Sequence, residues 1–230
     1  MIRAMIFDFN GVLADDESSH VACFQQALAE FGLILTAEDY YGTYLGMDER
    51  TCAGILLTSR DGTLDTVLLD RITARKTQLF LDHTAVHRPQ VFDGVTKFVL
   101  QAQGRYRLAI ASGGRRHQIA NALAGADIEK VFEVIVAAED CPIGKPDPAI
   151  YALTLARLNA IEPTTSLAPD QCLVIEDSLA GVRSARAAGM RILALSTTYP
   201  AEKLCEADLV LPNLLQVTPE FLAACMTRAG

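Results

Sequence analysis

Residues 2–12 read Ile2-Arg3-Ala4-Met5-Ile6-Phe7-Asp8-Phe9-Asn10-Gly11-Val12. Ile2 to Asp8 is a short apolar strand that stops at Asn10-Gly11, a turn signal. Beyond it the pattern becomes helical. Val21, Phe24, Leu28 and Phe31 recur at helical spacing, and Gly32 ends that helix. Tyr40 to Arg60 holds two shorter helical stretches separated near Gly46. Leu64, Leu68, Ile72 and Leu79 predict a longer helix to about Asp82. No convincing strand lies between His20 and His83.

After Pro89 the periodicity changes. Phe92 to Gln103 reads as helix, Tyr106 to Ala111 as strand, Arg115 to Leu123 as helix and Phe132 to Ala137 as strand. Pro148 to Leu158 follows as a helix, with Asp147 its expected N-cap. Cys172 to Ile175 is a strand and Leu179 to Ala188 a helix. Ile192 to Leu195 and Asp208 to Val210 are short strands, and Leu214 to Cys225 closes the chain as a helix. Strands alternating with helices imply right-handed crossovers and a parallel sheet. The fold expected is α/β: a Rossmann-like parallel-sheet core of residues 1–14 and 89–230, carrying an all-helical cap of residues 15–88.

The composition narrows the function classes. Of 230 residues half are apolar and 21% charged, and mean hydropathy is +0.22. Such a chain buries a core and is not disordered. Twenty-eight acidic against 20 basic residues give a formal charge of -8. That balance repels phosphate backbones, and Arg115-Arg116 and Arg75-Lys76 are only short basic pairs, so no nucleic-acid partner is expected. Apolar runs such as Phe132 to Ala138 are far below the roughly 20 residues of a membrane span, so no membrane partner is expected. The N-terminus does not read as a signal peptide. Six scattered cysteines without a CxxC read as reduced thiols, and the expected location is cytoplasmic.

Open parallel sheets bind ligands at the carboxyl ends of their strands. Those ends carry Asp8, then Ser112 with Gly113-Gly114, then Gly144-Lys145-Pro146-Asp147, then Glu176-Asp177. An acid there can simply cap the next helix, a lone lysine can be solvated and a serine can form a turn. Together they supply carboxylates, a hydroxyl, an ammonium and free amides. Carboxylate oxygens suit Mg²⁺, and the ammonium and amides suit a phosphoryl group.

Phe7-Asp8-Phe9-Asn10-Gly11-Val12 resembles the first motif of the haloacid dehalogenase-like hydrolases. Ala111-Ser112-Gly113 resembles the second, Lys145 in Gly144-Lys145-Pro146-Asp147-Pro148 the third, and Glu176-Asp177-Ser178-Leu179-Ala180-Gly181 the fourth. The helical insertion is similar to the type-one cap of the subfamily with beta-phosphoglucomutase, CbbY-like sugar phosphatases and phosphoglycolate phosphatase. The resemblance implies a Mg²⁺-dependent phosphatase acting on a small phosphorylated metabolite, such as a sugar phosphate or phosphoglycolate. It implies that Asp8 attacks phosphorus to form an aspartyl-phosphate. Ser112 and Lys145 then hold the phosphoryl oxygens. Asp8, Asp177 and the backbone carbonyl of residue 10 ligate the metal, with Glu176 a direct or indirect partner. Gly11, Gly113 and Arg115 are candidate substrate contacts; of Arg115 and Arg116, which follow Ser112 at a helix start, one is expected at the pocket mouth. From the cap, which is expected to close over the substrate, His20, Arg50 and Lys76 are candidate substrate contacts. Lys76 alone would snorkel or face the cleft, His20 equally suits a hydrogen-bonded hinge histidine, and Arg50 equally suits a surface salt bridge. Asp15, Asp16 and Glu17 form an acidic linker that would discourage an anionic substrate tail. The expected assembly is a monomer or small homo-oligomer.

Asn10 departs from the pattern. The family's phosphatases and mutases carry an aspartate there, which protonates the leaving oxygen and then deprotonates the attacking water. Asparagine keeps the shape and the backbone carbonyl but cannot exchange a proton in that role. Three explanations stay open: an engineered variant, a reaction that needs no acid at this position, or weakened or lost activity. The alternatives to a phosphatase are a phosphomutase of the beta-phosphoglucomutase type and a catalytically silent protein that binds a phosphometabolite.

Overall fold

The computed structural model of the chain describes residues 1–44, 47, 49–87 and 89–227; the expected break near Gly46 lies outside the described residues. The backbone divides into two compact units, Met1–Asp15 with Gln90–Gly230, and Asp16–Pro89. The first unit opens with β1 (Ala4–Phe7) and the two-residue β2 (Ala14–Asp15). The second unit holds α1 (Glu17–Glu30), the single turn α2 (Ala37–Asp39) running into a π-helical turn at Tyr40–Tyr44, α3 (Glu49–Asp61) and α4 (Thr66–Val86). Among its described residues there is no strand. The first unit resumes with β3 (Gln90–Val91), α5 (Val95–Ala102), β4 (Arg107–Ala111), α6 (Arg116–Leu123) and β5 (Val134–Val136). It ends with α7 (Ala149–Ile161), β6 (Cys172–Glu176), α8 (Leu179–Ala187), β7 (Arg191–Leu195), β8 (Leu209–Leu211) and α9 (Pro219–Thr227).

Six strands form one sheet in the order β5-β4-β1-β6-β7-β8, every pairing parallel. This is the Rossmann-like arrangement expected from the alternation of strands and helices. A central parallel strand is covered on both faces and reads as a continuous apolar run, and all four residues of β1 are buried. Phe7 stands edge-on to Phe98 and Phe132, with ring centroids 6.2 and 5.8 Å away. Edge-to-face rings add about 0.5–1.5 kcal/mol beyond the area they bury. The register positions the chemistry. Phe7 pairs with Ile110 on one side and Ile175 on the other, so Asp8, Ala111 and Glu176 come level at the strand ends.

Some boundaries differ from expectation, each for a local reason. The expected strand at Phe132 shortens because a 3-10 turn, Glu129–Val131, leads into it. The last helix begins at Pro219 instead of Leu214, since proline lacks an N–H and fits a first helical turn, not an interior. The antiparallel pair of β2 with β3 is not legible in the sequence, because two-residue strands are too short to show a period. In α4 the buried stripe is Leu69, Ile72, Lys76 and Phe80, while Leu64 precedes the helix and is exposed. Of the apolar positions expected on the inner face, Ile72 lies there, while Leu68 and Leu79 are half-buried beside it. Asp65 caps this helix, accepting from the Leu68 N–H at 2.9 Å. Among the described residues no helix is long and apolar enough to cross a membrane.

Candidate active site

β1 and β6 are adjacent, and the chain runs to opposite sides of the sheet from them. That makes a crevice at their carboxyl ends. Asp8 follows β1, and its backbone N–H donates to Ile175 O at 2.9 Å. The Phe9 carbonyl then accepts from the Leu13 and Ala14 amides at 2.8 and 2.9 Å, which turns the chain sharply over Asn10-Gly11. Gly11 has φ +75°, where a side chain is strained. A Cβ there would also lie 2.0 Å from Asp177 Oδ2. The turn can pass over Asp177 only because residue 11 is glycine.

Lys145 is the electrostatic centre. Its Nζ donates to Asp8 Oδ1 and to Glu176 Oε1, each at 2.6 Å. Oxygens of Asp8, Glu176 and Asp177 lie within 4.8 Å of one another, and all three residues are buried. Burial pushes the Asp8 carboxyl up to about 7; the Lys145 ammonium opposes this and the Glu176 charge adds to it. For Lys145, burial works against the charge, but the Asp8 and Glu176 carboxylates prevail and hold its pKa well above the ordinary lysine value. For Glu176 the desolvation penalty is likewise overcome, chiefly by Lys145, and its pKa falls below the usual carboxylate range.

Glu176 is saturated by the protein. Oε1 accepts from Lys145 and from the Tyr151 hydroxyl at 2.8 Å, and Oε2 accepts from the Asp177 and Ser178 amides and the Ser178 hydroxyl at 2.9–3.0 Å. A carboxylate offers about four acceptor sites, so these bonds suit Glu176 to orienting Lys145. Tyr151 was not among the sequence candidates. It sits in an apolar helical run and reads as core; only the passage of α7 beside Glu176 gives its hydroxyl a role. Gly181 completes the support, because a Cβ there would lie 1.7 Å from Glu176 Oε1. Gly181→Ala is therefore expected to displace Glu176, destabilise the fold by about 1–3 kcal/mol through overpacking, and reduce turnover with it. Urea denaturation beside a rate assay checks this; an unchanged midpoint would contradict it.

Ser112 is buried at the end of β4, and its Oγ accepts from the Gly114 N–H at 2.9 Å. A Cβ built on Gly114 would sit 3.2 Å from Ser112 Oγ and 3.4 Å from Asn10 Oδ1, so both groups flank one small space. Gly113 is exposed in this turn, and Arg115, also exposed, is the cap residue of α6. Asp8, Asn10, Gly11, Ser112, Gly113, Arg115, Lys145, Glu176 and Asp177 all belong to the sheet unit.

His20, Arg50 and Lys76 belong to the helical unit. Lys76 is 1% exposed and does not snorkel. Its Nζ contacts His20 Nδ1 at 2.6 Å, pairs with Glu49 and lies 4.7 Å from the Phe80 ring centroid. His20 Nε2 lies 3.3 Å from the buried Asp16 carboxylate. His20 Nδ1 also lies 3.6 Å from the Glu49 carboxylate. Burial and the Lys76 charge work against protonation of His20, but its hydrogen bonds to Asp16 and Glu49 outweigh them and raise its pKa above the ordinary imidazole value. Burial works to raise the pKa of Glu49, but His20 and Lys76 outweigh it and hold the carboxyl at about 2. Asp16 is thus a partner inside the helical unit, and Glu17 accepts from the Tyr40 hydroxyl at 2.6 Å; neither forms the open acidic linker expected. Arg50 pairs with Asp70 at 2.5 Å on the surface.

The haloacid dehalogenase-like hydrolase family model matches residues 2–189. Protein CbbY of Rhodobacter capsulatus is 33% identical over 238 residues, covering 96% of this chain and 99% of that protein. The phosphorylated carbohydrates phosphatase of Thermotoga maritima is 31% identical over 191 residues, 82% of each chain. The crystal structure of an aspartate-to-asparagine mutant of CbbY from Rhodobacter sphaeroides, in complex with xylulose-(1,5)bisphosphate, is also similar. It has a TM-score of 0.77 at 26% identity, covering 94% of this chain and 96% of that one. A parallel sheet with an inserted helical unit, the four strand-end motifs on one crevice and these matches agree: the chain belongs to the haloacid dehalogenase-like hydrolases.

Proposed function

We propose that this chain handles phosphate esters of a small carbohydrate, with Asp8 as the nucleophile that takes up the phosphoryl group. The observation that carries this reading is the buried Asp8–Lys145 contact at 2.6 Å, set between Ser112 and the acids of β6. Two relatives support the substrate class: one is a phosphatase of phosphorylated carbohydrates, and the other binds a sugar bisphosphate. In the reaction an Asp8 carboxylate oxygen bonds to phosphorus and the bond to the ester oxygen breaks. Lys145 and Ser112 would neutralise and hold the transferring oxygens. The departing alkoxide needs a proton, and Asn10 cannot deliver one.

The donor set fits a divalent cation. Clustered carboxylate oxygens are hard ligands, and Lys145 offsets only part of their charge. Asp8, Asp177 and the Asn10 carbonyl would hold Mg²⁺, with Glu176 committed to Lys145. When bound, the ion supplies Lewis-acid stabilisation of phosphoryl charge. Asn10 favours one further reading, a protein that holds its phosphometabolite and turns it over slowly or not at all.

A panel of phosphorylated carbohydrates, assayed with Mg²⁺ for released phosphate and for isomerised product, tests the proposal. Released phosphate is expected. Glucose 6-phosphate formed from glucose 1-phosphate would replace it with a mutase, and calorimetric binding without any product would favour the silent protein.

A further inference from the structure

We propose that Asp140 is a positioning residue that sets the spacing between the Ser112 turn and the Lys145 loop. This rests on the reading above, in which those two residues hold one phosphoryl group. Asp140 lies in the loop between β5 and α7, five residues before Lys145. Its Oδ2 accepts from the Ala137 N–H at 2.9 Å and pairs with the Arg116 guanidinium. Its Oδ1 accepts from Arg157 of α7 at 2.9 Å, and its own N–H donates to Ala137 O at 2.9 Å. One carboxylate thus joins the end of β5, the first residue of α6 and the helix after Lys145.

The same seam is stitched by neighbouring bonds. Ser112 N donates to Val136 O and Ala138 N to Gly114 O, each at 3.0 Å. Arg116 N donates to Glu139 Oε2 at 3.1 Å, and its guanidinium to Ile135 O at 3.0 Å. The Arg157 hydrogen bond first, then the Ala137 amide and both guanidiniums, hold the Asp140 carboxyl at about 2, so it is charged at any ordinary assay pH.

As stability devices these pairs are weak. Arg116 is 49% exposed and Arg157 38%, and exposed ion pairs contribute about 0–1 kcal/mol. As positioning devices they act on the two loops that must hold one group, where a displacement of about 1 Å can cost on the order of 10²-fold in rate. Among the contacts described Asp140 bonds to no residue of β1 or β6, so it reaches the carboxylate cluster only through the Lys145 loop and leaves the proposed metal ligands Asp8 and Asp177 without a direct tie to it.

The test uses the full chain carrying Asn10→Asp, with inorganic phosphate as the ligand and an alkyl phosphate as the substrate. Adding Asp140→Asn is expected to weaken phosphate binding about tenfold and lower kcat about tenfold or more. The Mg²⁺ activation midpoint should stay within about twofold, and Tm should move by no more than about 2–4 °C. Arg116→Gln, which removes the brace from its exposed side, should reproduce the loss in phosphate affinity even if Asp140→Asn folds poorly. Arg183→Gln, which breaks the exposed Arg183–Glu206 pair on α8, should leave that affinity unchanged. Unchanged phosphate affinity and kcat in both brace variants would overturn the proposal. So would a loss in which Tm and the Mg²⁺ midpoint move together with phosphate affinity, since that is a general structural role. If the Asn10→Asp parent itself neither binds nor releases phosphate, the phosphatase reading fails first, and this inference with it.

Discussion

Asn10→Asp is expected to raise turnover of alkyl phosphates by roughly 10² or more, the range of a restored general acid and base. The site accommodates the change: Asn10 Oδ1 already faces the Ser112–Gly114 turn, where glycine leaves room. Aspartate has nearly the shape of asparagine, so the gain comes from proton exchange with the alkoxide and then with water. An aryl phosphate, whose leaving group needs little protonation, should gain less. Mg²⁺ affinity should change little, because the proposed ligand at residue 10 is its backbone carbonyl. Steady-state kcat for both esters, on freshly prepared protein, is the measurement. Freshness matters because Asn10-Gly11 invites deamidation, which would generate some aspartate. Equal rates for the two forms would refute the acid–base assignment and point to a reaction for which asparagine is suited.

Asp8→Asn is expected to remove covalent turnover in either background, by roughly 10⁴-fold or more, about 5.5 kcal/mol of barrier. An amide is a poor nucleophile, and the neutral side chain would leave Lys145 paired with Glu176 alone. Metal-free stability should move the other way. The native Asp8 carboxyl is held up to about 7, above its ordinary 3.8. A carboxyl whose pKa is higher folded than unfolded costs stability as pH rises through that window. Asp8→Asn removes this cost, so the metal-free variant should melt no lower than the parent at pH 7–8. A variant that lost activity and stability together would show Asp8 to be structural. Single-turnover trapping of the phosphoryl group on the parent, absent in the variant, would separate the two roles directly.

The sequence by itself determined the class of fold and made the strand-end residues of the candidate site legible. β1 is legible because a parallel strand covered on both faces must be apolar throughout, and because its pattern breaks at Asp8 and Asn10-Gly11. Ser112, Lys145 and Glu176-Asp177 are legible because successive parallel strands end on one side of a sheet, so their next polar residues share a crevice. The helical insertion shows as a long stretch without strand periodicity.

Tertiary structure decided what those patterns could not carry. Which face of α4 is inward depends on its partner helices, so Lys76 appears with Leu69, Ile72 and Phe80 only once the helices pack. Its burial beside Glu49 and His20 follows from charges brought together over long separations in sequence. Tyr151 reads as one more apolar position until α7 places its hydroxyl 2.8 Å from Glu176. Gly11 and Gly181 are needed because another chain segment occupies the space of a Cβ, a property of two segments at once. Asp140 is the same case: a carboxylate between two arginines is unremarkable in sequence, and gains its meaning only where β5, α6 and α7 meet. A periodicity records the environment of one segment, whereas a contact requires two, and the second is placed only by the fold.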